Sequence, residues 1–271
     1  MKKLSLFILI VLMLFAFVAC SPDSSDSPDD NLLPGEVVPP SESEMVSASD
    51  EDIKKLDIIF NVSPRPIDYS KNQELEVTDN SGNTITINTE VECKDNSETM
   101  KCTANGKITV GDITYTADNL VVTKSSSGEY KIEEGSALKG ESKMEAKDAV
   151  DDALGSVINS LPSQNNSSKS DFKSYKFDEQ SVISKEKLLE PSKDGSGKEV
   201  GSGKSARRCT ITQDGSTSLY VYDWTVNETR FQAKFTVNYD DSGKSSTKVY
   251  YCALNGKFFD EASCAKLAEY F

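Results

Sequence analysis

The chain predicts a mainly β (α+β) fold: antiparallel sheets or a sandwich, with one amphipathic helix mid-chain and a short C-terminal helix. Three observations carry this expectation. Short runs in which apolar and polar residues alternate recur from about Leu56 to Leu254, as half-buried strands require. Gly and Asn, which accept the positive φ of tight hairpins, punctuate those runs at Asn80-Ser81-Gly82-Asn83, Asn105-Gly106, Ser127-Gly128 and Asn255-Gly256. Three-and-four apolar spacing stands out over 142–161, and a second helix is expected over 261–270.

The first element is not part of the fold. Lys2 and Lys3 precede an apolar run from Leu4 to Val18 that ends at Ala19-Cys20, after which the chain turns polar at Ser21-Pro22-Asp23. A run of roughly fifteen residues falls short of the about twenty that span a bilayer core, so residues 1–19 read as a removed export signal. Phe17-Val18-Ala19-Cys20 resembles the lipobox of bacterial lipoproteins. The resemblance covers only the first 20 of 271 residues. It implies cleavage before Cys20, acylation of Cys20 and a lipid-anchored, extracytoplasmic place in a bacterial cell envelope. Ser21 rather than aspartate after the cysteine favours the outer membrane or cell surface over the inner membrane. Two or three acyl chains would hold the protein permanently where one chain is marginal.

Residues 20–55 predict a disordered acidic tether. Ten acidic residues lie between Asp23 and Asp52 with no Lys or Arg, among serines and five of the nine prolines. Such a segment cannot bury enough apolar surface to order itself and would span roughly 30 Å as a coil. After removal of the signal the chain holds 28 basic against 44 acidic side chains, a charge of −16; beyond Asp52 the balance is 28 against 34, or −6. No basic stripe exists to neutralise phosphates, which disfavours a nucleic-acid partner.

From Leu56 to 161 the expected strands are Asp57–Val62, Glu74–Thr78, Thr84–Cys93, Lys101–Thr103, Lys107–Val110, Ile113–Ala117, Leu120–Thr123 and Tyr130–Glu133. Cys93 and Cys102 flank a polar octet where a hairpin would close and are expected to form a disulfide. The helix over 142–161 presents Met144, Ala149, Val150, Ala153 and Leu154 on one face, with Ser142 and Glu145 as a capping box and Pro162 as its stop. Residues 162–205 read as a loop or linker, with a weak strand at 172–177 and a short helix near 184–189. Within it, Gly197-Lys198-Glu199-Val200-Gly201-Ser202-Gly203-Lys204-Ser205 imitates a phosphate-binding loop, but Lys198 occupies the position that requires the first glycine.

Residues 206–271 predict a four-stranded meander, Arg207–Gln213, Ser218–Thr225, Thr229–Tyr239 and Thr247–Leu254, followed by a terminal helix capped by Asp260. Phe231, Ala233, Phe235, Val237 and Tyr239 alternate with Gln232, Lys234, Thr236 and Asn238, giving one buried and one wet face. Cys264 is a partner for Cys252, with Cys209 as a competitor for either or a free thiol.

The chain has no histidine, so Ser-His-Asp, Cys-His and ordinary zinc chemistry are excluded, and no catalytic site, metal or cofactor is expected. Ser-x-x-Lys occurs at Ser184–Lys187 and Ser263–Lys266 without the companion motifs of a serine-lysine nucleophile. Tyr220, Tyr222, Trp224, Tyr250 and Tyr251 concentrate aromatic side chains on the C-terminal meander, as core packing or as a recognition patch for protein or glycan. The leading expectation is a non-catalytic binding or envelope-structural lipoprotein, with the membrane as a partner through its anchor. The alternative is a lipid or glycolipid carrier: Asn105 to Val122 is similar to strand repeats of periplasmic lipopolysaccharide-transport proteins. An enzyme using carboxylate or serine chemistry comes third.

Overall fold

The computed structural model describes residues 35–96, 99–149, 172–192, 197–212, 214–240 and 244–265. The signal, the lipobox with Cys20, and residues 150–161 of the mid-chain helix lie outside them. The first meander comprises β1 (Ser63–Asp79), β2 (Thr84–Asp95), β3 (Thr99–Val110), β4 (Ile113–Ser125), β5 (Tyr130–Lys139) and β6 (Ser142–Lys143). The second comprises β7 (Phe172–Leu189), β8 (Glu199–Ile211), β9 (Gly215–Val226), β10 (Thr229–Asp240), β11 (Ser245–Leu254) and β12 (Lys257–Phe258). All twelve form one antiparallel sheet in the order β12-β11-β10-β9-β8-β7-β1-β2-β3-β4-β5-β6. The two longest strands, β1 and β7, pair at the centre, and each meander runs outward from there.

The mainly β expectation holds, but the two-sheet sandwich does not. The linker expected over 162–205 is, in its described part, dominated by β7 and β8, whose backbones pair with β1 and β9 despite a Ser-, Lys- and Gly-rich composition. Ser184 to Leu189 is therefore strand and not helix. The four strands expected over 206–271 form as β8 to β11 and pair consecutively; β7 before them and the two-residue β12 after them extend the meander. Ser142 and Lys143 pair with β5 as an edge strand, and helical structure begins only at Ala146, so the expected Ser142 cap is absent. Met144 and Ala149 nevertheless pack on Leu120, Val122 and Ala137, the role foreseen for that helix.

Several local expectations change for identifiable reasons. Asn105-Gly106 is not a hairpin turn: β3 runs through it with a bulge, and Gly106 sits at φ 131°. A Cβ there would meet the Asn88 carbonyl oxygen at 2.1 Å, so only glycine lets β2 approach. The turns at 80–83, 127–128 and 255–256 form as expected, each with a residue at positive φ. Asp57–Phe60 belongs to helix α1 (Asp50–Phe60) rather than to a strand. Ser49 accepts from the Asp52 amide, Asp52 returns the bond to Ser49, and three acids fill the first turn, where the helix dipole favours them. Leu56 and Ile59 are buried against the sheet, and Phe60 meets Phe231 edge-on at 5.2 Å.

Alternation gives the sheet two unlike faces. Face A carries Tyr69 and Leu75 of β1, Phe177 of β7, Cys209 of β8, Trp224 of β9 and Phe231, Ala233, Phe235 and Val237 of β10, as their register pairs require. Helix α1 covers it over β9–β11, where Phe231, Phe235, Leu188 and Phe259 are fully buried. Each such side chain contributes about 1.5–3 kcal/mol through area removed from water. Face B is wet over much of its extent but not at β9–β11. There residues 35–49, expected within a disordered tether, cross it as a strap. Glu36 pairs with Lys234, the Val37 amide donates to the Tyr251 hydroxyl at 3.1 Å, and Val46 bridges Phe259. Gln232, predicted wet, is buried in consequence beside Asp223 and Ala253.

Cys93–Cys102 joins register partners of β2 and β3, and Cys252–Cys264 ties β11 to helix α2 (Glu261–Ala265). Cys209 neither competes for these partners nor is a free thiol: it is itself disulfide-bonded and fully buried on face A. Asp260 caps α2 through the Ser263 amide, as its position predicts. No described helix is long and apolar enough to cross a membrane.

Candidate functional site

The chemistry of the molecule gathers on face A between β1, β7, β8 and β9, beside the region that α1 covers. Three successive rungs of the sheet build it. The first places Pro66, Glu186, Gly203 and Trp224 side by side; the second Tyr69, Ile183, Ser205 and Tyr222; the third Lys71, Ser181, Arg207 and Tyr220. From these rungs Pro66, Glu186, Trp224, Ile183, Ser205, Tyr222, Ser181, Arg207 and Tyr220 line a cavity of about 160 Å³, with exposed Pro64 at its edge.

Gly203 explains why a cavity forms there. A side chain at that position would meet Trp224 Cδ1 at 2.3 Å, so its absence lets the indole lie over β8. From that position Trp224 Nε1–H donates to Glu186 Oε1 at 2.6 Å, and Ser205 adds a second hydrogen bond to the same carboxyl. Glu186 is only 1 % exposed. Burial pushes its pKa up to about 7, against the lowering effect of the two hydrogen bonds. The Tyr222 ring lies 4.5 Å from that of Trp224, and Tyr220 stacks on Phe235 at 5.1 Å. Burial, with Tyr220 and Glu186 nearby, holds the Tyr222 phenol protonated.

The opposite end is basic. Arg207 lies 5.5 Å above the Tyr220 ring and reaches the Ser218 hydroxyl at 3.5 Å. Lys71 pairs with Glu179 at 3.0 Å, both nearly inaccessible, and Glu179 also accepts from Gln73 at 2.6 Å. Burial, more than any neighbour, draws the Lys71 pKa down, and Arg207 adds to that effect. Glu186 and Arg207 stand two rungs apart, about 13 Å along the strands. The cavity thus has an acidic pole and a basic pole joined by an aromatic wall.

The five aromatics of the sequence divide between the two faces. Tyr220, Tyr222 and Trp224 come together in the cavity wall. Tyr251 is buried beneath the strap, where its hydroxyl accepts from Val37, and Tyr250 is exposed between Lys234 and Lys248. Neither reaches the cavity. Glu186 lies in the segment expected to be a linker, whereas Arg207 opens an expected strand, Arg207–Gln213, without any sign that its side chain faces inward. A signal existed in the alternation of Phe177, Glu179, Ser181 and Ile183, although two of those inward positions are polar.

Other motifs acquire structural roles. The glycine-lysine run from Gly197 to Ser205 lies largely in β8, and Gly201 and Gly203 serve close approach to β9. Ser184 donates to the Asp68 carbonyl, Lys187 pairs with Glu199, and Ser263 accepts from the Ala48 amide. Among the described residues no group of three His, Cys, Asp or Glu side chains could hold a metal ion. The chain matches no protein-family model, no curated protein and no solved structure.

Proposed function

We propose that this chain is an exported protein, lipid-anchored through Cys20, that binds a small ligand without transforming it. The cavity on face A, where Trp224 and Ser205 hold the buried Glu186 carboxyl beneath an aromatic wall, carries the reading. A carboxyl and a guanidinium at its two ends supply the few convergent polar groups that orient a ligand, and the rings supply apolar contact area. An apolar cavity of about 150 Å³ admits a molecule the size of benzene, so a cavity of this volume suits a compact molecule and not an acyl chain. That favours a small-ligand binder over the lipid carrier.

The strap alters the geometry of the anchor. The described residues begin at Gly35, 15 residues beyond Cys20, and residues 35–49 pack on the sheet rather than serving as a tether. Fifteen residues reach at most about 50 Å, which bounds the distance between an anchored Cys20 and the sheet. Cell fractionation tests the anchor: wild type is expected in the membrane fraction and Cys20→Ala in the soluble extracytoplasmic fraction. Unchanged membrane retention of the variant would exclude lipidation as the anchor. Co-purification of a small molecule with the mature protein tests the binding role.

A further inference from the structure

We infer that the face A cavity takes a small organic ammonium, its charge seated against Glu186 and the cavity-lining rings of Tyr222 and Trp224. The inference rests on the small-ligand reading and names the chemical class of the ligand. Among the described residues Glu186 is the only carboxyl lining the cavity, and its two hydrogen-bond partners, Trp224 and Ser205, are neutral donors. No ion pair joins Glu186 to a basic side chain among the described residues, and the basic groups of the site, Arg207 and Lys71, stand two rungs away. A carboxylate buried at that end therefore lacks a counter-charge, which an ammonium group would supply.

The walls point the same way. Trp and Tyr faces attract cations through their ring quadrupoles, and an aromatic enclosure next to a carboxylate is the surface that recognises alkylated ammonium groups. The Trp224 indole is fixed from below by the space that Gly203 leaves, so the enclosure is formed before the ligand arrives. A neutral sugar would use the rings but has no need of a buried acid. A carboxylate ligand would meet Glu186 as a like charge.

Protonation provides a second readout. The other ionisable groups facing this cavity are Arg207 from β8 and Tyr220 and Tyr222 from β9, with Lys71 of β1 and Glu179 of β7 paired to each other beyond them. Of these, Glu186 is the group brought to about 7. If only its ionised form receives the cation, affinity rises about tenfold between about pH 6 and about pH 8.

The test is isothermal calorimetry of the mature protein in non-ionic detergent with tetramethylammonium chloride, and separately with sodium acetate and glucose. Tetramethylammonium is expected to bind the wild type, more tightly at the higher pH, and to bind Glu186→Gln at least tenfold more weakly with no pH dependence. Glutamine keeps an oxygen for Trp224, and unchanged tryptophan fluorescence would establish that the variant is folded. Equal binding to wild type and variant, or preference for acetate or glucose, would overturn the inference. If tetramethylammonium fails while a neutral or anionic molecule co-purifies, the ammonium assignment falls and the small-ligand reading survives; if no ligand binds at all, both fall.

Discussion

Glutamate 186 should make this protein less stable as the pH rises through neutrality. Its pKa moves from 4.5 in the unfolded chain to about 7 in the fold. Between those values the unfolded chain releases a proton that the folded chain retains, so stability is complete below the unfolded value and is lost as pH climbs through the folded one. A shift of that size corresponds to about 3 kcal/mol, most of it lost between about pH 5 and about pH 8. The window is unusually clean because the chain has no histidine to titrate within it. Asp52, brought down to about 2 first by Lys257 and then by Ser49, acts in the opposite sense and at lower pH. Urea unfolding of the mature protein across that range, followed by the single tryptophan, should give a falling profile for wild type and a nearly flat one for Glu186→Gln. The variant should match wild type near pH 5 and exceed it by up to about 3 kcal/mol near pH 8. Parallel profiles for the two proteins would refute the burial and protonation state assigned to this carboxyl.

Four further outcomes are expected. Gly203→Ala should push the Trp224 indole off Glu186, shifting its fluorescence to the red and destabilising by about 1–3 kcal/mol; an unchanged spectrum would contradict the close approach. Phe231→Ala, at a fully buried position under α1, should lower the unfolding free energy by about 3–5 kcal/mol in urea titrations. Replacing Cys252 and Cys264 together by alanine opens a loop of separation 12 and should remove about 3 kcal/mol by the chain-entropy estimate, read as a lower urea midpoint. Lys71→Met strands Glu179 in the interior and should cost about 3–5 kcal/mol, most of it recovered in the Lys71→Met, Glu179→Leu double variant.

What was legible in the sequence followed from how much each segment owed to its own residues. Strand β10 declares itself through alternation, and Phe231, Ala233, Phe235 and Val237 are buried as that pattern requires. The Cys93–Cys102 and Cys252–Cys264 disulfides sit where turn chemistry brings their cysteines together. Helix α1 was missed although Ser49 and Asp52 form a capping box and Leu56 and Ile59 lie on one face; the acidic, proline-rich run before it drew the boundary too late. Most of β7 and the first half of β8, up to Ser205, carry no clear strand signal, because β7 pairs with β1, a strand distant in sequence, and the inward positions include Glu179, Ser181, Glu186 and Ser205. The same polarity that hides these strands makes the candidate site, which is why the site was legible only in its aromatic third. The wet face expected for Gln232 failed for a related reason: the strap that covers it, residues 35–49, lies more than 180 positions earlier in the chain.

The measurement that bears most directly on the account is native mass spectrometry of the mature protein, extracted from its own membranes in non-ionic detergent. The account predicts a chain that begins at Cys20, carries acyl groups there, and retains one small non-covalent ligand that the Glu186→Gln variant loses. A chain whose Cys20 bears no lipid or is held in a disulfide, and which carries no such ligand, would contradict it.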